Sequence, residues 1–363
     1  MQRFLHSIWL KAGLVAILSI GVLDIFTGCG VYSPQPKTSV RFVRVPRAGH
    51  GGTEIIEPIS GSVTGSISGQ QVVVYAKNGA WWWVQPFRSR PLTNVESDST
   101  WHTVTHIGTE YAALLVAPGY QPQAKIGAIP PVGNGVLVVA TIKGVEASPV
   151  ASKIIRFSGY DWTVRASPSN RGGEMNQYDT TNAWVDREGY LHLKMGDHDG
   201  RWTSAGVKLT RSLGYGTYRF VVQDSAHLEP SAVLAMFTLD ERQDQEIRTE
   251  LDIELSSWGN ARKKNGDYTV QPYYVPENTT HFLVPPGRFT HVLRWEPGVA
   301  SFRTLYGEAT GPGAKELAHH VFTSGIPVPG GETVHIDFYD FFHSQSGLIH
   351  PSEVVIEKFE YLP

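Results

Sequence analysis

The amino-acid sequence predicts an all-β protein, and three observations carry the prediction. Short apolar runs that alternate with polar residues recur along the chain and are punctuated by turn residues. The 363 residues include 37 Gly and 23 Pro, which mark those turns, and 15 Tyr, 15 Phe and 10 Trp, which suit strands. Long stretches of helical periodicity are scarce. A chain of this length divides naturally into two domains. The net charge of −3 supplies no electrostatic footprint for nucleic acid, whereas neutral polar ligands with stackable faces, sugars among them, are compatible with it.

Residues 1–28 read as an export signal. Arg3 and Lys11 precede an apolar run over 12–23 that is shorter than a membrane-spanning helix requires. The one cysteine, Cys29, closes Phe26-Thr27-Gly28-Cys29. That string resembles the lipobox of bacterial lipoproteins, whose cysteine is acylated after cleavage. The resemblance implies lipidation at Cys29 and a place in the cell envelope, exported and lipid-anchored, with the membrane as partner. The plainer reading is an ordinary signal peptide with an incidental cysteine. A single cysteine excludes an intramolecular disulfide.

Residues 29–55, with Pro34, Pro36, Pro46 and Gly51-Gly52, read as a tether. Residues 56–145 read as a small all-β accessory module, with strands at 72–75, 81–84, 111–116 and 136–142. Asn78-Gly79 is its hairpin signal, because both turn positions favour positive φ. In Trp81-Trp82-Trp83, alternation sends Trp82 to the face opposite its neighbours. One face is therefore core, and the other is either core or a platform for sugar. Ala147-Ser148-Pro149 reads as a linker. Residues 154–363 again alternate strand and turn: around Glu188-Gly189, then at 215–222, 290–295 and 354–361. A segment of this length and pattern suits two packed antiparallel sheets, a β-sandwich. The charged stretch 240–248 reads as a loop.

Within that segment, Thr249-Glu250-Leu251-Asp252-Ile253-Glu254-Leu255 alternates acid and aliphatic with period two. Leu251, Ile253 and Leu255 then point to a core, and Glu250, Asp252 and Glu254 share the other face. The plain reading is a solvated strand face. The functional reading is an active centre, since retaining glycosidases use two carboxyls about 5–5.5 Å apart. Residues i and i+4 have Cα atoms about 13 Å apart on a flat strand, so the two glutamates must lean together across a curved sheet.

This strand resembles the Glu-x-Asp-x-Glu active strand of glycoside hydrolase family 16, endo-acting β-glucanases with a concanavalin A-like jelly-roll sandwich. The likeness covers residues 155–363. It takes in Trp202-Thr203-Ser204-Ala205-Gly206-Val207, Ala235-Met236-Phe237-Thr238-Leu239, Phe289-Thr290-His291-Val292-Leu293-Arg294-Trp295 and the closing strand 354–361. The resemblance implies Glu250 as nucleophile, Asp252 as its helper and Glu254 as acid/base. The absence of an extra residue between Asp252 and Glu254 is similar to the unbulged, lichenase-like and xyloglucan-active branch. Candidate sugar contacts are Asn176, Asn182, Trp184, Trp202, Trp258 and Gln271, joined by Trp162 and Tyr178. For each Trp, core packing is the equal alternative.

No cofactor and no catalytic metal are expected. The 14 histidines form no metal motif, and His319-His320 would point to opposite faces of a strand. A structural calcium occurs in relatives of the family, and the sequence assigns it no ligands. The expected partner is a polysaccharide or oligosaccharide. The expected function is a retaining endo-β-glycanase acting on a β-glucan-type polymer; the alternative is a non-catalytic surface glycan-binding lipoprotein of the same fold.

Overall fold

Two eight-stranded sheets built from residues 154–363 face each other, and the apolar side of each strand's alternation lies between them. The computed structural model describes residues 37–49, 55–146, 152–168, 176–198, 201–241, 250–260, 264–308, 311, 313–341 and 350–363. The expected export signal with Cys29, the linker 147–149 and residues 242–248 of the expected loop lie outside the described residues. The chain is all-β, as its alternation predicts.

One sheet runs in the order Ile154–Phe157, Tyr160–Val164, Ala205–Leu209, Thr333–Asp340, Ala232–Leu239, Leu251–Leu255, Gly266–Val270, Thr279–Phe282. All its neighbours pair antiparallel. It is called the site sheet below. The second sheet runs Ala183–Val185, Leu191–His198, Ser352–Leu362, Gly216–Val222, Phe289–Glu296, Val299–Tyr306, Glu316–Phe322, with Arg201–Thr203 paired to Leu191–His198. Leu191, Leu193 and Met195 of this sheet enter the core, as do Leu251, Ile253 and Leu255 of the other. Each such aliphatic side chain contributes about 1.5–3 kcal/mol on full burial.

A polar line crosses this core. Tyr268 of the site sheet and Thr304 of the second share a hydrogen bond of 2.6 Å, and His291 Nδ1 lies 3.0 Å from the same Thr304 hydroxyl. Burial pushes the His291 pKa down to about 3, so the ring stays neutral between the sheets.

The segment before the sandwich holds two further sheets. Ser39–Arg44, Ile56–Thr64 and Thr100–His106 form a three-stranded one. The other orders Lys125–Ile126, Trp81–Gln85, Gln71–Asn78, Glu110–Val116 and Val136–Lys143, with Leu92–Asn94 also paired to Gln71–Asn78. Gln71–Asn78 is buried on both sides: Val72, Val74 and Ala76 join one apolar cluster, Val73 and Tyr75 another. That is why its sequence reads as an unbroken apolar run rather than an alternation.

Two expectations need correction here, and the alternation expected of Trp81-Trp82-Trp83 holds. The tether stretch 29–55 includes the strand Ser39–Arg44, whose Val40 and Phe42 pack on the cluster while the intervening Arg41 points out. The hairpin turn sits one residue later than expected. Asn78 pairs with Trp81, and Gly79 alone takes positive φ, +58°. A glycine at the first central position is what a type II′ turn requires. Of the three tryptophans, Trp82 is core and Trp81 is 45 % exposed, and the Lys125 ammonium stands over both Trp81 and Trp83, 4.8 and 4.6 Å from the ring centres.

Residues 37–363 form one compact unit. The Arg47 guanidinium donates to Ser167 Oγ at 2.8 Å, and the Ile56 amide to Pro168 O at 3.1 Å, across the junction of the two segments.

Candidate active site

The ladder of the site sheet fixes which side chains share its outer face. Glu254 lies between Ala235 and Asp267, and the row continues to Asp337 and Gly206 on one side and to His281 on the other. The next row is Lys208, His335, Phe237, Asp252, Thr269 and Thr279. Glu250 immediately precedes Leu251–Leu255, and its carbonyl accepts from the Gln271 amide at 3.1 Å. Glu250, Asp252 and Glu254 therefore project from the face opposite Leu251, Ile253 and Leu255, which line the core.

Burial separates the three carboxyls. Glu250 is 4 % exposed and Asp252 1 %, while Glu254 is half-buried. Gln271 Nε2 donates to Asp252 Oδ2 at 2.8 Å, and Gln271 Oε1 accepts from the Tyr273 amide at 3.0 Å. This bond aims the Asp252 carboxylate and draws the Gln271 loop, with the exposed Tyr273 and Tyr274, against the acidic strand. Beside the row, Trp258 Nε1 donates to Asp267 Oδ2 at 2.5 Å, and His281 Nδ1 pairs with the other oxygen of Asp267. At the opposite end, Arg165 Nη2 stands 3.0 Å from Asp337 Oδ2 and its guanidinium lies over the Tyr178 ring at 4.6 Å. The floor between these charges is apolar: Val233, Ala235, Phe237, Leu239, Tyr178 and Tyr339 form one cluster, with Trp258 packed against it.

Gln271, Trp258 and Tyr178 are thus brought to the acidic strand's face, Tyr178 in its apolar floor, and the remaining expected sugar contacts are placed elsewhere. Asn176 is buried and employed on the main chain, giving a bond to Asp340 O at 3.0 Å and accepting from the Asp340 amide at 3.2 Å and Ser204 Oγ at 3.0 Å. Asn182 donates to Thr203 Oγ1 and Ser204 O. Trp202 packs against the sandwich core, and Trp162 lies inside it with its indole N–H on Phe157 O. Trp184 belongs to the second sheet. Its neighbours Ala183 and Val185 turn to the core, so alternation sends Trp184 to the far outer side of the sandwich.

There Trp184 stacks on His192 at 5.0 Å and 12°. Asp267, Asp337, Arg165, His281 and His335 were not singled out from the sequence. The period-two signal was present in Asp267-Tyr268-Thr269-Val270-Gln271 and in His335-Ile336-Asp337-Phe338. Among the described residues, no group of three or more His, Cys, Asp and Glu side chains is placed to hold a metal ion.

Set against known proteins, the chain is similar in structure to the beta-glucanase of Bacillus licheniformis, at 16 % identity and TM-score 0.45, over 60 % of this chain and 100 % of that one. It is similar to a beta-1,3-glucanase from Mycobacterium marinum, at 18 % identity and TM-score 0.43, over 60 % and 93 % of the two chains. A third likeness is to a Mycobacterium tuberculosis protein described as an immunostimulatory antigen and pseudo beta-1,3-glucanase, at 17 % identity and TM-score 0.40, over 54 % and 88 %. No family model matches the chain, and no curated protein does.

The Trp184 stack generates a prediction about stability. Burial lowers the His192 pKa, but hydrogen bonds with Asp186 at 2.9 Å and Glu353 at 2.7 Å outweigh it, and the net shift is upward. A histidine whose folded pKa is raised adds stability that is full below its unfolded pKa, about 6.5. That stability is lost as pH rises through the folded value. His192→Gln should therefore lower the melting temperature at pH 5, and the deficit should shrink by pH 9. Melts followed by circular dichroism at the two values check this, and an equal deficit at both would contradict it.

Proposed function

We propose that the chain is a retaining glycosidase that cleaves within a β-glucan-type polysaccharide. The observation that carries the reading is the placement of Glu250, Asp252 and Glu254 on one face of a core strand, with Asp252 aimed by Gln271. The Glu-x-Asp-x-Glu resemblance supplies the roles. Glu250 attacks the anomeric carbon as Glu254 gives its proton to the departing oxygen, forming a glycosyl-enzyme. Glu254 then takes a proton from the water that releases the sugar. Burial of Glu250 and Asp252 suits this division, because a dry carboxylate acts on developing charge with little competition from solvent. Tyr273 offers a ring face to sugar at the rim beside Gln271.

A second reading is a non-catalytic glycan-binding protein with the same face, which would use the three carboxyls for hydrogen bonds to sugar hydroxyls. The two readings separate by mutation. For the glycosidase, Glu250→Gln should lower release of reducing ends from mixed-linkage glucan or laminarin by more than a thousandfold. Glu254→Gln should slow the polymer far more than an activated aryl glycoside, which needs little protonation. Unchanged hydrolysis in Glu250→Gln would remove that residue from the chemistry. Glucan binding without turnover in the wild type would establish the binder.

For location, we propose that Cys29 is acylated and that residues 56–145 serve as an accessory module between anchor and sandwich. The Phe26-Thr27-Gly28-Cys29 string supports the first part, and stable anchoring takes more than one acyl chain, which such a cysteine would carry. Cys29→Ser should move the protein from the membrane fraction to the soluble fraction with its thermal melt unchanged. A wild-type protein found soluble with an unmodified thiol would rule this out.

A further inference from the structure

Trp81 and Trp83 have no part in the proposed chemistry, and the sheet that carries them fixes how they stand. In its ladder Trp81 lies opposite Asn78, and Trp83 lies between Ala76 and Lys125, so these side chains share one face. Trp82 goes the other way, into the apolar cluster with Val73, Tyr75 and Val84. Two residues apart on a strand, Trp81 and Trp83 have Cα atoms about 6.6 Å apart, and their indoles are neighbours. The Lys125 ammonium, 4.8 Å from the Trp81 ring centre and 4.6 Å from that of Trp83, holds both by cation–π attraction. Trp81 is nonetheless 45 % exposed, and Trp83 is half-buried.

Gly127 leaves the Trp81 ring uncovered. It follows Lys125–Ile126, the edge strand paired to Trp81–Gln85. Its φ lies outside the left-handed region, so the backbone does not call for glycine there. A Cβ at this position would lie 3.6 Å from Trp81 Cζ3, in ordinary contact, and any longer side chain would lie against the ring. The open aromatic surface is therefore small and has a polar rim, the Asn78 carboxamide and the bare main chain of Gly127. A stable protein partner asks for about 1,000 Å² of buried surface. Two indoles of about 150–250 Å² each, partly covered already, fall well short of that. A pyranose matches them better, with an apolar face of C–H groups to lie on an indole and a rim of hydroxyls to meet the polar edge.

We propose that Trp81 and Trp83 form a second polysaccharide site, on a different sheet from the acidic face, where a pyranose of a β-glucan chain stacks on the Trp81 indole. The choice of polymer rests on the glycosidase reading, and the test does not need turnover. The full chain is run in native gels cast with mixed-linkage glucan or laminarin, and its retardation gives an apparent dissociation constant. Trp81→Ala should raise that constant about tenfold. Hydrolysis of an activated aryl glycoside should stay as in the wild type, because so small a substrate occupies the acidic face alone. Gly127→Gln, which keeps both indoles and lays a side chain against Trp81, should weaken retardation in the same direction. Gly127→Ala, whose methyl makes only ordinary contact, should bind as the wild type does. Retardation unchanged in whichever of Trp81→Ala and Gly127→Gln keeps the wild-type melt would overturn the proposal, and so would a wild type retarded by neither glucan. Retardation that depends on Trp81 without release of reducing ends would remove the glycosidase reading and leave this one standing. Hydrolysis with retardation indifferent to Trp81 would do the reverse.

Discussion

The candidate site depends on the register of Leu251–Leu255 between Ala232–Leu239 and Gly266–Val270. In a strand with one face in a core, a slip of one residue exchanges the two faces completely. Here that slip would drive Glu250, Asp252 and Glu254 into the space now filled by Leu251, Ile253 and Leu255. Burying carboxylates without partners costs several kcal/mol each, and the aliphatic contribution would be lost at the same time. The same constraint acts on both neighbours, whose inward Leu234, Met236, Tyr268 and Val270 meet the same core. Hydrophobic alternation thus places the acids on this face, and Gln271 then aims Asp252.

That placement crowds Glu250, Asp252, Glu254, Asp267 and Asp337 onto one sheet face, and their surroundings differ. Asp337 meets a guanidinium, Asp267 meets an indole and an imidazole, and Asp252 meets an amide. The ion pair at Asp337 needs Gly206 beneath it, since a Cβ there would lie 2.4 Å from Asp337 Oδ1 and 3.2 Å from Arg165 Nε. Different compensation at chemically similar groups is how one site holds both a proton donor and a nucleophile. Beyond the acids, the floor of Phe237, Val233 and Tyr339 is apolar, which strengthens charge interactions made above it.

Much of this was legible in the sequence because period two is a local signal. The acidic strand, the hairpin around Gly189 with its φ of +87°, and the closing strand all lie where alternation puts them. What the sequence did not disclose was set by pairing between distant strands. Trp184 and Trp258 look alike as isolated aromatics, yet ladder position sends Trp184 to the far side of the sandwich, while the turn after Leu251–Leu255, with φ +50° at Trp258, brings that indole to Asp267 in the acidic row. Asp267 and Asp337 carried the same alternation as the acidic strand, but only the sheet order brings them into line with Glu254. Asn176 could be read as a cleft amide, whereas its partners are the main chain of Asp340 and the hydroxyl of Ser204. The strand Ser39–Arg44 escaped notice because a proline- and glycine-rich surround concealed a short alternation.

The central claim is that Glu250 and Glu254 act on opposite ends of one glycosidic bond in a double displacement. The most direct measurement follows the anomeric protons of the sugar by NMR in the first minutes of glucan hydrolysis, before mutarotation mixes the anomers. The account predicts that the new reducing ends appear first in the β configuration of the bond that was cut. First appearance of the α anomer would contradict it, because a single displacement by water leaves Glu250 no covalent role.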